Sequence, residues 1–145
     1  MPLNLVKLCV GVDTLDDLKS HVDHRLAAAR ARGEPAEQGH VTRVRPVRAD
    51  EILAGGSLYW VIRGNVQVRQ AILRLDEALG ADGITRCRIV LEPVFVATRW
   101  QPRRPFQGWR YLKPEDAPPD LGEGGEDLEA LPPDLRRELA MLGLM

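Results

Sequence analysis

Lysine is scarce in this 145-residue chain: Lys7, Lys19 and Lys113 stand against seventeen arginines. Arginine offers a flat guanidinium to phosphates and aromatic rings, which a lysine ammonium does not. Cysteine is scarcer still. Cys9 and Cys87 each fall inside an apolar, strand-like run and read as buried free thiols rather than a disulfide. Apolar runs stop after a few residues, far short of the ~20 that a membrane-crossing helix needs. The opening stretch MPLNLVKLCVGV has no basic leader, and Asp13, Asp16 and Asp17 follow at once. It reads as a first strand instead of a signal peptide.

Catalytic signatures are missing too. The sequence has no P-loop, no G-x-G-x-x-G after a strand, no G-x-S-x-G elbow and no paired CxxC. His21, His24 and His40 match no nucleophile by spacing. His21 and His24 lie three apart beside the polar side of a helical stretch, but no cysteine or third histidine accompanies them, which favours solvated surface over a metal pair. No catalytic residue, metal ligand or cofactor is therefore nominated. An enzyme without a recognisable motif stays open as an alternative.

What the chain does have is segregated charge. The net charge is only −1, yet residues 40–110 hold twelve arginines against six acids, and residues 111–145 hold three cations against nine acids. The densest stretch, RRPFQGWRYLKP at 103–114, sets four cations and three aromatic rings side by side with no acid. Cations hold phosphates and flat side chains stack on unpaired bases, so this mixture suits single-stranded nucleic acid, RNA before DNA. The candidate binding residues are Tyr59, Arg63, Arg69, Arg86, Arg88, Arg103, Arg104, Trp109, Arg110 and Lys113. Packing competes with this reading. Trp60 alternates with Leu58 and Ile62 as a core residue does, and Phe106 with Trp109 can pin the arm to a sheet, leaving Arg103, Arg104 and Arg110 outward.

The periodicities predict the elements. LNLVKLCVGV is apolar on nearly both faces, as a central strand is. Residues 14–32 switch to a helical stripe of Leu15, Leu18, Val22, Leu26 and Ala29, with Asp13 or Thr14 as cap and Gly33 as stop. HVTRVRPVR predicts a strand in which Pro46 fits only at an edge or at the strand's end, ADEILAGG a short helical turn, and SLYWVIRG a strand. Residues 66–79 fit either a helix or a strand. A hairpin through ALGADG into ITRCRIVLEP favours the strand. VFVATRW adds one more, begun by Pro93. From Gln101 to Asp120 five prolines predict an arm without regular structure.

These elements predict an α+β fold: a small, mostly antiparallel, partly closed sheet of five or six strands, with a long N-terminal helix and a short C-terminal helix. The expected organisation is one domain over 1–121, an acidic linker over 122–132 and a helix over 133–145 striped by Leu135, Leu139 and Leu142. That helix gives a second functional reading, a protein-interaction module, and the acidic tail is able to fold back and screen the basic arm.

LVKLCVGV, HVTRVRPVRADEILAGGSLYWVIRG, GITRCRIVLEP and PRRPFQGWRYLKPEDAPPDL together resemble a family of small alphaproteobacterial proteins, the domain of unknown function fourteen eighty-nine. The resemblance implies a stand-alone bacterial cytoplasmic protein and carries no activity. The order of a strand ending in WVIRG, a hairpin and a late GWRYL is also similar to PUA-like barrels of the ASCH and EVE groups, which implies RNA or modified-base binding.

Overall fold

The computed structural model describes residues 2–121. The acidic linker, the C-terminal helix and the tail's expected role all lie outside these residues. In chain order the elements are β1 (Asn4–Leu8), α1 (Leu15–Ala31), β2 (Gln38–Thr42), α2 (Ala49–Leu53), β3 (Ser57–Ile62), β4 (Asn65–Leu79), β5 (Thr85–Leu91), β6 (Val96–Pro102) and β7 (Trp109–Leu112), with a 3-10 turn at Pro114–Asp116.

The sheet corrects the expected architecture. It has seven strands, it is mixed, and it does not close. Its order is β2-β5-β4-β3-β1-β7, with β6 also pairing β4. The parallel pair is β1 with β3, Leu5 opposite Leu58 and Lys7 opposite Trp60. Parallel neighbours need a crossover long enough to return the chain, and α1 through α2 supply it. The seventh strand, β7, lies inside the arm that the prolines were expected to keep irregular. Trp109–Leu112 is a proline-free window, and it pairs antiparallel with β1, Leu5 opposite Tyr111 and Lys7 opposite Trp109.

Residues 65–79 form one fifteen-residue strand, the hairpin alternative, because both its ends turn tightly. At the first end, Arg63 and Gly64 both take left-handed backbone (φ 50° and 83°), as a two-residue hairpin requires. At the other end, Gly83 (φ 81°) closes the turn into β5. Strand β2 stops at Thr42, four residues short of Pro46, so the arginine-rich segment 43–48 is a loop. Strand β6 starts at Val96, three residues later than Pro93 suggests.

Two apolar clusters cover the two faces. On one, Leu5, Leu58, Trp60, Ile62, Val68 and Ile72 meet Leu15, Leu18, Val22 and Leu26 of α1 and Ile52 of α2. Helix α1 starts on a capping box, Asp17 N–H donating to Thr14 Oγ1 (3.1 Å) and the Asp17 carboxylate accepting from Thr14 N–H (3.2 Å). On the other face Val6, Tyr59, Val61, Val66 and Leu112 are covered by the arm, through Phe106 and Ala117. Among the described residues no helix is long and apolar enough to cross a membrane.

Candidate nucleic-acid interface

Three of the eight nominated cations, Arg69, Arg86 and Arg88, have carboxylate partners within the chain. Arg69 holds Asp120 through two bonds of 2.7 and 2.8 Å and donates a third to Ser57 Oγ at 3.0 Å. The Asp120 hydrogen bonds raise the Arg69 pKa further, so the pair stays charged. Arg86 grips Asp82, whose carboxyl falls to about 2 under the Arg86 hydrogen bonds and a backbone N–H from Ile84. Arg88 lies flat over Gly39, where a Cβ would collide with the guanidinium, and reaches Glu37 at 3.2 Å. Tyr59, 7% exposed, is a core residue on the arm-covered face, and burial raises its pKa. These four brace the fold. Lys113 is exposed just beyond β7.

Trp109 is half-buried. It packs against the helix-covered cluster, donates Nε1–H to the Val44 carbonyl at 2.8 Å and meets Tyr111 edge-on at 4.8 Å. Its partner loop was not singled out from the sequence. Arg43 and Val44 join Gly108, Trp109 and Arg110 around an open concavity, and the exposed Val44 and Val47 among arginines were the available signal.

The remaining cations converge. Strands β1 and β3 end, β4 and β7 begin, and β6 ends at one end of the sheet. There Arg103 N–H donates to the Gly64 carbonyl at 2.8 Å, which joins the arm to the turn bearing Arg63. Arg103, Arg104, Phe106 and Arg110 line one concavity, and Arg110 lies 5.2 Å over the Phe106 ring. Arg104 and Arg110 are exposed, whereas Arg103 is half-buried, against the expectation that all three point outward. Its Nε–H is buried without an acceptor among the described residues. None of Arg63, Arg103, Arg104 and Arg110 joins an ion pair among the described residues.

The same end of the sheet holds a cavity of about 140 Å³ between β1, β2 and α1, lined by Lys7, Cys9, His21, Arg25, Gln38, His40 and Trp60 among others. His24 is not among them. Among the described residues no three His, Cys, Asp or Glu side chains come together as metal ligands. Burial pushes the Cys9 thiol up to about 11, so it stays protonated at neutral pH. His40 stands edge-on to Trp60 at 5.4 Å, and burial, then Lys7 and Arg25, pushes its pKa down to about 4. Because the folded form resists the proton, stability is complete above His40's ordinary value of 6.5 and declines as pH falls towards 4. Over that window the wild type is expected to lose about 1–2 kcal/mol more than His40→Gln, allowing for partial exposure. Urea melts at stepped pH check this, and parallel curves for the two proteins would contradict it.

The fold and site define an open, mixed-sheet α+β protein with an arginine-rich end. The chain belongs to the family described as protein of unknown function (DUF1489), whose model matches residues 5–145. No curated protein and no solved structure matches it.

Proposed function

We propose that this protein is a non-catalytic module that binds single-stranded nucleic acid, RNA in the first instance, across the end of the sheet where Arg63, Arg103, Arg104 and Arg110 meet. The observation that carries this reading is the contrast in partners. Arg48, Arg69, Arg74, Arg86 and Arg88 are spent on this chain's own carboxylates, whereas the four arginines at this end have none among the described residues. Two details support it. The Arg103 Nε–H has no acceptor among the described residues, and turning it outward onto a phosphate oxygen would supply one. Arg110, lying over Phe106, presents a guanidinium plane on which an unpaired base stacks.

The test is fluorescence anisotropy of a labelled single-stranded oligoribonucleotide at low salt, with the matching deoxyribonucleotide as comparator. R103A/R104A/R110A is expected to weaken binding by roughly 100-fold, since each lost charge-assisted contact removes a sizeable factor. R86Q/R88Q, which removes cations already paired with Asp82 and Glu37, is expected to leave affinity nearly unchanged. Equal losses in the two variants would show that net charge alone, not this end of the sheet, attracts the polymer.

A further inference from the structure

The geometry points to a second binding site that owes nothing to the arm: the cavity between β1, β2 and α1 takes a small organic anion, a carboxylate head on a compact apolar body. Its charged lining is of one sign. Lys7 on β1 and Arg25 on α1 contribute two cations, and no Asp or Glu among the described residues lines the cavity. Neither cation joins an ion pair among the described residues.

Lys7 is half-buried, and burial lowers its pKa with no carboxylate acting against that. A partly desolvated ammonium without a counter-ion is unfavourable, and an anion seated beside it removes the deficit. Arg25 is exposed at the rim, so its guanidinium is able to close over an entering head group. The polar lining also includes His21, the Cys9 thiol, the neutral His40 ring and Gln38, whose amide is held by Gln70.

The rest of the wall is apolar. Leu8, Val12, Leu18, Val22 and the Trp60 ring line it. At about 140 Å³ the space matches the engineered cavity of ~150 Å³ that accommodates a benzene molecule. A bare inorganic anion leaves that apolar volume unfilled, and a neutral hydrocarbon leaves Lys7 unpaired. A molecule with both parts satisfies both. The pocket also has the composition of small-ligand sites, mostly apolar with a few convergent polar groups.

The experiment uses the full chain, uniformly labelled with nitrogen-15, titrated with benzoate, with neutral benzamide and with inorganic phosphate. Benzoate is expected to give saturable shifts confined to amides around Lys7, Cys9, Gly39 and His40. Benzamide and phosphate are each expected to bind about tenfold more weakly or worse, because one loses the ion pair and the other the apolar contacts. Lys7→Met keeps the stem and removes the charge, and is expected to weaken benzoate by about tenfold or more. If Lys7→Met fails to fold, Arg25→Gln at the exposed rim makes the same comparison with the same expected loss. Absence of saturable shifts with benzoate would overturn the proposal. So would benzamide or phosphate binding as tightly as benzoate, or unchanged benzoate affinity in the charge-removed variant. R103A/R104A/R110A is expected to bind benzoate as the wild type does, so this test does not depend on the nucleic-acid reading.

Discussion

Gly56→Ala is expected to cost about 3 kcal/mol or more, and to leave much of the chain unfolded at physiological temperature, because there is no room for a methyl group. A Cβ at this position would overlap the Leu3 carbonyl oxygen and stand 2.7 Å from the Ile52 carbonyl oxygen. Both obstacles are backbone, so no rotamer change relieves them. The site ties three elements together. Gly56 N–H donates to the Ile52 carbonyl at the end of α2, its own carbonyl accepts from Ile72 N–H of β4, and Asn4 of β1 accepts from Ser57 N–H at 2.9 Å. Shifting any one of them disturbs the β1–β3 parallel pair. The denaturation midpoint reads this directly, and a midpoint equal to the wild type's would contradict the packing described.

Gln70→Leu is expected to cost about 3 kcal/mol although leucine has nearly the same volume, because the loss is polar. Gln70 is fully buried in β4. Its Oε1 accepts from Trp60 Nε1–H at 2.9 Å and from the Gln38 side chain at 3.0 Å. Its Nε2 donates to Gln38 Oε1 at 2.6 Å and to the Glu92 carbonyl at 3.1 Å. Leucine leaves the indole N–H, the Gln38 amide and one backbone carbonyl without partners, and each costs its own desolvation. For a chain of this size that is a fall of about 10 °C in Tm. Gln38→Leu, which keeps the indole bond, is expected to cost less. A Gln70→Leu protein melting with the wild type would show that water replaces the network.

These two residues mark what sequence reading reaches and what it does not. Helix α1, strand β3 and the β4–β5 hairpin are legible because each rests on local signals: the leucine stripe with Thr14 as cap, the block SLYWVI between glycines, and the ALGADG turn. The parallel pairing of β1 with β3 is not, because nothing local distinguishes a strand's future neighbours, and it makes the sheet mixed where a mostly antiparallel one was expected. Strand β7 is hidden for the opposite reason. Prolines at 102, 105 and 114 dominate the local pattern, while only the β1 edge gives Trp109–Leu112 its partner.

The arginines divide the same way. Asp120 reaches Arg69 across fifty-one positions, and Glu37 reaches Arg88 across the same separation, so composition counts these cations as available when the fold consumes them. Arg103, Arg104 and Arg110 stood out because they crowd one proline-rich stretch. Arg63 joins them through a single hydrogen bond between Arg103 N–H and the Gly64 carbonyl. The lining of the cavity was illegible for want of any motif: Lys7, Arg25 and His40 come from three separate elements or their ends.

The central claim, that the arginine cluster at this end of the sheet holds single-stranded nucleic acid by its phosphates, is tested most directly by the salt dependence of oligoribonucleotide affinity. Each phosphate neutralised on a single strand contributes about 0.7 to the slope of log affinity against log salt. Four arginines give an expected slope of about −3 for the wild type, and R103A/R104A/R110A is expected to flatten it by about 2. An affinity indifferent to salt between low and physiological ionic strength, or the same slope in both proteins, would contradict the account.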